Sequence, residues 1–272
     1  MDQLDLRTLA SRLDTRRIGH PLVYAPRLSS TQALAGRLAD LGWPEGTTVL
    51  AEEQTAGRGR LGRTWWSPYA QALLLSLLLR PRWPPHLSQR LVMAASLAAA
   101  EAIEISYEIP VALKWPNDIY VQGRKAGGIL VEARLTPDGG LLESAIVGIG
   151  INVTVDFAQH PELQVSAISL HTVAECRVDR GALLVALLGC FEQRYQEILD
   201  GCFDHTAWAR RLLWIGEEVR VTLPDGTLTG IAQGVDDEGA LLVQTAEGQI
   251  ERILAGDLSL RREDQSAAGL ST

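Results

Sequence analysis

The sequence predicts an α+β fold: a mixed, mainly antiparallel sheet packed with helices, followed by a small C-terminal β-barrel. Two patterns carry this expectation. Between residues 111 and 149, apolar strand-like runs follow one another through turns while helical segments gather elsewhere, unlike a regular βαβ alternation. From Gly216 onward the chain becomes short alternating strands with tight turns, over about 45 residues, the pattern of a small barrel.

Leu4, Leu6, Leu9 and Leu13 recur at helical spacing and predict a short N-terminal helix. Val23-Tyr24 reads as a brief strand. Ser30 or Thr31 caps the next helix, which carries Ala33, Leu34, Leu38 and Leu41 and ends at Leu41-Gly42-Trp43-Pro44. Thr47 to Ala51 and Ala72 to Leu79 are strands. Pro81, Pro84 and Pro85 mark a surface connection before an alanine-rich helix from about Leu87 to Ile105. Val111 to Trp115 is a strand that Pro116-Asn117-Asp118 breaks and Ile119-Tyr120-Val121 resumes. Beyond the turn at Gln122-Gly123-Arg124 come strands at Ile129 to Ala133 and Glu143 to Ile149, separated by Pro137-Asp138-Gly139-Gly140. Helices are expected at 181–200 and 204–214. The chain therefore divides into a main domain at 1–214, a barrel at 215–262 and a small polar tail at 263–272 expected to be disordered.

With 272 residues the chain can bury a large core. Its net charge of −8 argues against a general affinity for nucleic-acid backbone. Cys176, Cys190 and Cys202 are odd in number and follow no metal or redox spacing, so they read as free thiols in a reducing cytosol. Met1-Asp2-Gln3-Leu4-Asp5 lacks the profile of a signal peptide. No run approaches the roughly 18 apolar residues of a membrane span. A cytoplasmic protein is expected.

Against this acidic background, Gly57-Arg58-Gly59-Arg60-Leu61-Gly62-Arg63 stands out. Three glycines let a backbone approach a ligand closely, and three arginines supply permanent forked cations. The glycines fit Gly-x-Gly-x-x-Gly, but a dinucleotide fingerprint needs a helix directly behind it. Here Thr64-Trp65-Trp66-Ser67-Pro68 and then a leucine-rich strand follow. The run is a loop between strands, suited to closing over a small anion.

Other charged or amide side chains also gather at strand ends: Ser30-Thr31, Gln54, Lys114 to Asp118, Lys125 to Gly128, and Gly148-Ile149-Gly150-Ile151-Asn152. Singly, each has a bland explanation. Ser30 or Thr31 serves as a helix cap, Lys125 as a surface lysine, Asn117-Asp118 as a turn, and Gly148 and Gly150 as a bulge or close strand packing.

Together they are harder to dismiss. The glycine–arginine run through Trp65, Lys114-Trp115-Pro116-Asn117-Asp118, Lys125-Ala126-Gly127-Gly128-Ile129-Leu130 and Gly148 to Asn152 stand in order and spacing that resemble the biotin protein ligases. The resemblance runs from about Leu4 to Arg262. It implies a catalytic domain similar to class II synthetases and a C-terminal barrel similar to SH3 domains. It also implies a reaction: biotin and ATP give biotinyl-AMP and pyrophosphate, and a lysine of a biotin carboxyl carrier protein then attacks the mixed anhydride. Acetyl-CoA carboxylase's biotin subunit is the usual partner.

The same resemblance implies residue roles. Ser30, Thr31 and Gln54 match positions that meet biotin's ureido ring, and Gln32 stands where the family usually has asparagine. Lys125 matches the lysine that reaches the biotin carboxylate and the acyl phosphate. Arg58 and Arg60, spaced by Gly57 and Gly59, match the arginines that cover the ligand and shield the intermediate, in a loop expected to be mobile when empty because like charges pack poorly without an anion. Arg63 and Trp65 belong to the nucleotide-binding part, with Trp65 suited to stacking on adenine and Trp66 expected in the core. Gly128, Gly148 and Gly150 belong to the pocket. Lys114 and Asn117 fall to phosphate or the attacking region. Asp118 falls to Mg²⁺ or to orienting the carrier lysine, and Asn152 lies near adenine or the phosphates.

Some family members carry an N-terminal helix-turn-helix of about 60 residues ahead of the Ser-Ser-Thr segment. Only 28 residues precede Ser29, so no DNA binding is expected. Edge strands of the main sheet leave a homodimer open, and no membrane association is expected. Two competing readings share the fold: a lipoate or octanoate ligase or transferase, and a non-catalytic biotin sensor.

Overall fold

The computed structural model describes residues 3–158 and 160–260. Seven strands come first: β1 (Leu22–Leu28), β2 (Thr48–Gln54), β3 (Ala72–Leu79), β4 (Ala112–Lys114), β5 (Asp118–Val121), β6 (Arg124–Leu135) and β7 (Leu142–Asn152). They lie side by side in the order β1-β2-β3-β7-β6-β5-β4. Only β1 and β2 run parallel; every other neighbouring pair is antiparallel. The sheet is therefore mixed and mainly antiparallel, as the run of strands without intervening helices requires.

An interior strand, β3, beside the central β7, is buried at all its positions. Its alternate side chains serve two layers, because successive residues of a strand point to opposite faces. Leu73, Leu75, Leu77 and Leu79 enter the main core with α3 (Gln89–Tyr107) and α5 (Arg180–Leu199). Each fully buried leucine there contributes roughly 2 kcal/mol. On the other face, Leu78 packs with Ala35, Leu38 and Ala39 of α2 (Thr31–Asp40), and Leu74 packs with Phe157 and Trp65. Ser76 lies between them. That gap between two apolar clusters is where the cavity opens.

Several expected boundaries move. Pro116-Asn117 does not interrupt one strand; it reverses the chain, and Lys114 pairs antiparallel with Asp118 across the turn. β6 begins at Arg124, so Lys125 to Gly128 lie inside a strand, and β7 continues to Asn152, so Gly148 and Gly150 lie inside one too. The helix expected at 204–214 is only His205–Ala209. Its continuation is diverted because Arg211 and Leu213 exchange backbone hydrogen bonds with Leu113 of β4, at 2.8 Å each. Ser30 caps α2, its Oγ accepting from the Ala33 N–H.

A second, five-stranded antiparallel sheet follows, made of β8 (Glu218–Leu223), β9 (Gly226–Val235), β10 (Leu241–Gln244), β11 (Ile250–Ile253) and β12 (Asp257–Leu260). Val219, Val221, Ala232, Leu241, Val243, Ile253 and Leu258 are its buried apolar side chains. The Trp115 indole donates to Gly239 O at 3.0 Å and ties this sheet to the end of β4. The expected tail at 263–272 lies outside the described residues. No helix among the described residues is long and apolar enough to cross a membrane.

Candidate active site

Strands β6 and β7 build a floor from glycines. Gly128 pairs with Gly150, and Gly148 pairs with Ser76 on the other side. The missing side chains are occupied by others. A Cβ on Gly150 would lie 2.8 Å from Trp65 Cε2, and one on Gly148 would lie 2.5 Å from Gln32 Oε1. A side chain at either position would displace the Trp65 ring or the Gln32 amide that fills the space.

The glycine–arginine loop folds back on itself as a short cover. Arg58 bridges to Thr64, Gly59 N–H donates to Arg63 O at 2.7 Å, and Trp65 N–H donates to Gly57 O at 3.0 Å. A Cβ on Gly57 would sit 2.4 Å from Trp65 O, so this position admits no side chain. Leu61 adopts φ 54, and Gly62 follows at φ 75. Contrary to the expectation of unpartnered like charges, each arginine has a partner. Arg58 pairs with Glu132 at 2.9 Å, Arg63 pairs with Asp257, and Arg60 donates to Asn117 Oδ1 at 3.2 Å and Gly256 O at 3.3 Å. Burial works against the charge of Arg60, while Asp257 and Asp118 support it.

One end of the cavity is neutral. Ser30, Thr31 and Gln32 are buried at the start of α2. The Gln54 oxygen accepts from Thr31 N–H at 2.8 Å and from the Thr31 hydroxyl at 3.1 Å. Gln32 donates to Ile146 O at 3.0 Å.

The other end is charged. Lys125 Nζ lies 2.6 Å from Asp118 Oδ1 and 5.8 Å from the centre of the Trp65 ring. Lys114 is placed over the rings of Trp214 and Tyr120; burial pulls its pKa down, with Lys125 and Arg63 adding to the shift and Asp118 and Asp257 opposing it. The Trp65 indole N–H is buried with no hydrogen-bond partner. A buried donor left unpaired among the described residues is costly.

Ser30, Gln32, Gln54, Arg58, Gly59, Arg60, Arg63, Trp65, Asn117, Asp118, Lys125, Gly128, Gly148 and Gly150 line one cavity. Thr31, Gly57, Lys114 and Asn152 do not line it. Thr31 stands behind Gln54, Gly57 packs against the Trp65 carbonyl at the base of the loop, and Asn152 donates to Lys125 O and Ile168 O, bracing the strand that carries the lysine. Trp66 is a correction: it is exposed, against Phe157 and His160, because the chain turns Trp65 inward and its neighbour outward. Sequence reasoning missed Asp257, which lines the cavity from β12, and Ser76 beneath the neutral end. Nothing local marks Asp257; Ser76 is marked as the single hydroxyl in a leucine run.

Comparison with known proteins gives this geometry its setting. Residues 24–152 match the biotin/lipoate A/B protein ligase family, and residues 214–261 match the biotin protein ligase C-terminal domain. The chain is 40% identical over 251 residues to the bifunctional ligase/repressor BirA of Bacillus subtilis, covering 91% of this chain and 76% of that protein. The chain belongs to the biotin protein ligase family. It is also 33% identical over 264 residues to the biotin–[acetyl-CoA-carboxylase] ligase of Mycobacterium tuberculosis, covering 94% of this chain and 95% of that one. Among solved ligases of this family, the Aquifex aeolicus biotin protein ligase in complex with biotin and ATP superposes with a TM-score of 0.75. That pair shares 36% identity over 89% of this chain and 99% of the other. Both the seven-stranded sheet and the small second sheet thus belong to the family's architecture.

Proposed function

We propose how this cavity carries out ATP-dependent biotin ligation, the activity that family membership gives the chain. One observation carries the assignment: a single cavity joins a neutral hydrogen-bonding end to a cationic end under an arginine loop. A urea ring needs short neutral donors and acceptors, while a carboxylate meeting a triphosphate needs positive charge.

Ser30, Gln32 and Gln54 take the ureido ring, with Thr31 orienting Gln54. Lys125 meets the biotin carboxylate and the α-phosphate and offsets the repulsion between the two anions. A carboxylate oxygen attacks the α-phosphorus and pyrophosphate leaves; the work of the site is positioning and charge neutralisation. Trp65 offers its ring face to the nucleotide. Arg58, Arg60 and Arg63 exchange their carboxylate partners for phosphate and cover the acyl-adenylate. In the second step a carrier lysine attacks the acyl carbon and AMP leaves. Lys114, Asn117 and Asp118 stand beside that path.

Asp118 offers one carboxylate to a divalent cation. That fits Mg²⁺, which commonly combines one or two carboxylates with phosphate oxygens and water. Asp118 would hold the ion, which when bound neutralises phosphate charge. The carrier is the biotin carboxyl carrier protein of an acetyl-CoA carboxylase, and the setting is the cytoplasm. A homodimer would pair through β1, since Arg211 and Leu213 cover the outer edge of β4.

The test supplies ATP, Mg²⁺ and a carrier domain with either biotin or lipoate. The expected product is the biotinylated carrier alone. Transfer of lipoate alone would overturn the biotin assignment, and no transfer of either would favour a sensor.

A further inference from the structure

Ser76 is the only hydroxyl in the run Leu73-Leu74-Leu75-Ser76-Leu77-Leu78-Leu79, and it is fully buried in an interior strand of the sheet. A hydroxyl there is unfavourable unless it is hydrogen-bonded. Its oxygen lies 2.9 Å from Thr31 Oγ1 and 3.1 Å from Gln32 Oε1. Both partners belong to the neutral end of the cavity. Gly148, opposite Ser76 in the sheet, has no side chain and so leaves space for the Gln32 oxygen.

Counting protons gives the arrangement a direction. A hydroxyl carries one hydrogen. Thr31 directs its backbone N–H and its hydroxyl to Gln54 Oε1. The Gln54 oxygen is then satisfied from behind, and its amide N–H₂ is left for the cavity. With its own proton used, Thr31 Oγ1 can only accept from Ser76. Ser76 therefore has one proton for two acceptors, Thr31 Oγ1 and Gln32 Oε1.

We propose that Ser76 is a positioning residue that sets the hydrogen-bond polarity of the urea-binding end; this rests on the biotin reading of the cavity. In the empty site its proton serves Gln32 Oε1. When a ring N–H of the ligand donates to Gln32 Oε1, the Ser76 proton turns to Thr31 Oγ1. The chain Ser76 to Thr31 to Gln54 then runs one way and strengthens along its length. Gln54 presents a donor to the ring carbonyl, beside Gln32 as an acceptor for the ring N–H. No heavy atom needs to move.

The test compares Ser76→Ala and Ser76→Cys with the wild type, using biotin and 2-iminobiotin as ligands. In 2-iminobiotin a nitrogen donor replaces the urea oxygen. Cysteine keeps a side chain in the space but donates weakly. Both variants are expected to weaken biotin about tenfold, the effect of roughly one buried hydrogen bond, with the KM for ATP unchanged. The preference for biotin over 2-iminobiotin is expected to fall with it. If Ser76→Cys keeps the wild-type preference, or if both ligands weaken equally, Ser76 is a packing residue and the proposal fails. If the wild type itself shows no preference for biotin, the urea assignment of this end fails, and the proposal with it.

Discussion

Lys125 Nζ stands 2.6 Å from Asp118 Oδ1, joining the start of β6 to the start of β5 across the charged end of the cavity. Lys125 is about a third exposed, so solvent screens the pair and its contribution to folding stays below ~1 kcal/mol. Under the proposed mechanism the pair serves the chemistry rather than the fold. Lys125→Ala and Asp118→Asn are each expected to slow pyrophosphate release on the order of a hundredfold. In a double-mutant cycle on stability, followed by chemical denaturation, the two should show a coupling below ~1 kcal/mol. A large stability coupling with normal turnover would make the pair structural.

Trp65 rests where Gly150 has no side chain, and a Cβ there would meet its ring at 2.8 and 2.9 Å. Gly150→Ala is therefore expected to push the indole out of place. The KM for ATP should rise about tenfold or more, about 1.4 kcal/mol, while biotin binding at the far end changes little. Equal loss of both substrates would mean that the strand itself had been disturbed.

Arg60 ties the cover to Asn117 and to Gly256 O. Its replacement by glycine removes these ties and a cation but no core packing. Arg60→Gly is expected to keep its circular dichroism and melting profile and to release biotinyl-AMP about tenfold faster, on the order of one net hydrogen bond lost. An unchanged release rate would remove the shielding role from this arginine.

Burial holds the Lys114 pKa below the ordinary lysine value. The charged form is disfavoured in the folded state, so between its folded pKa and the unfolded value of about 10.4 the unfolded chain binds more protons and stability rises with pH. A step that needs the Lys114 charge should fail at lower pH than an ordinary lysine would allow. Lys114→Arg is expected to extend the alkaline limb of the pH–rate profile. An identical limb in the variant would show that Lys114 does not titrate in the reaction.

How far the chain could be read in advance follows from what each residue answers to. β3 was legible to the residue, because eight consecutive buried positions leave a continuous apolar run. The turn at Pro116-Asn117 was misread, since a proline followed by two polar residues looks the same in a broken strand as in a hairpin. The extents of β6 and β7 were misread for a different reason. Gly127, Gly128, Gly148 and Gly150 look like punctuation in sequence, yet Gly148 and Gly150 are strand positions where Gln32 and Trp65 need the room. Most of the cavity lining was legible through the family motifs. Asp257 was not, because its partner Arg63 lies 194 positions away and the contact exists only once the second sheet is in place.

The most direct measurement is the mass of the intact chain after incubation with biotin, ATP and Mg²⁺, then desalting under native conditions. At incubation times short enough for one turnover of the wild type, the wild type is expected to retain biotinyl-AMP, and Lys125→Ala to have accumulated on the order of a hundredfold less. Equal retention by both, or no adenylate on the wild type, would contradict activation of biotin at this cavity.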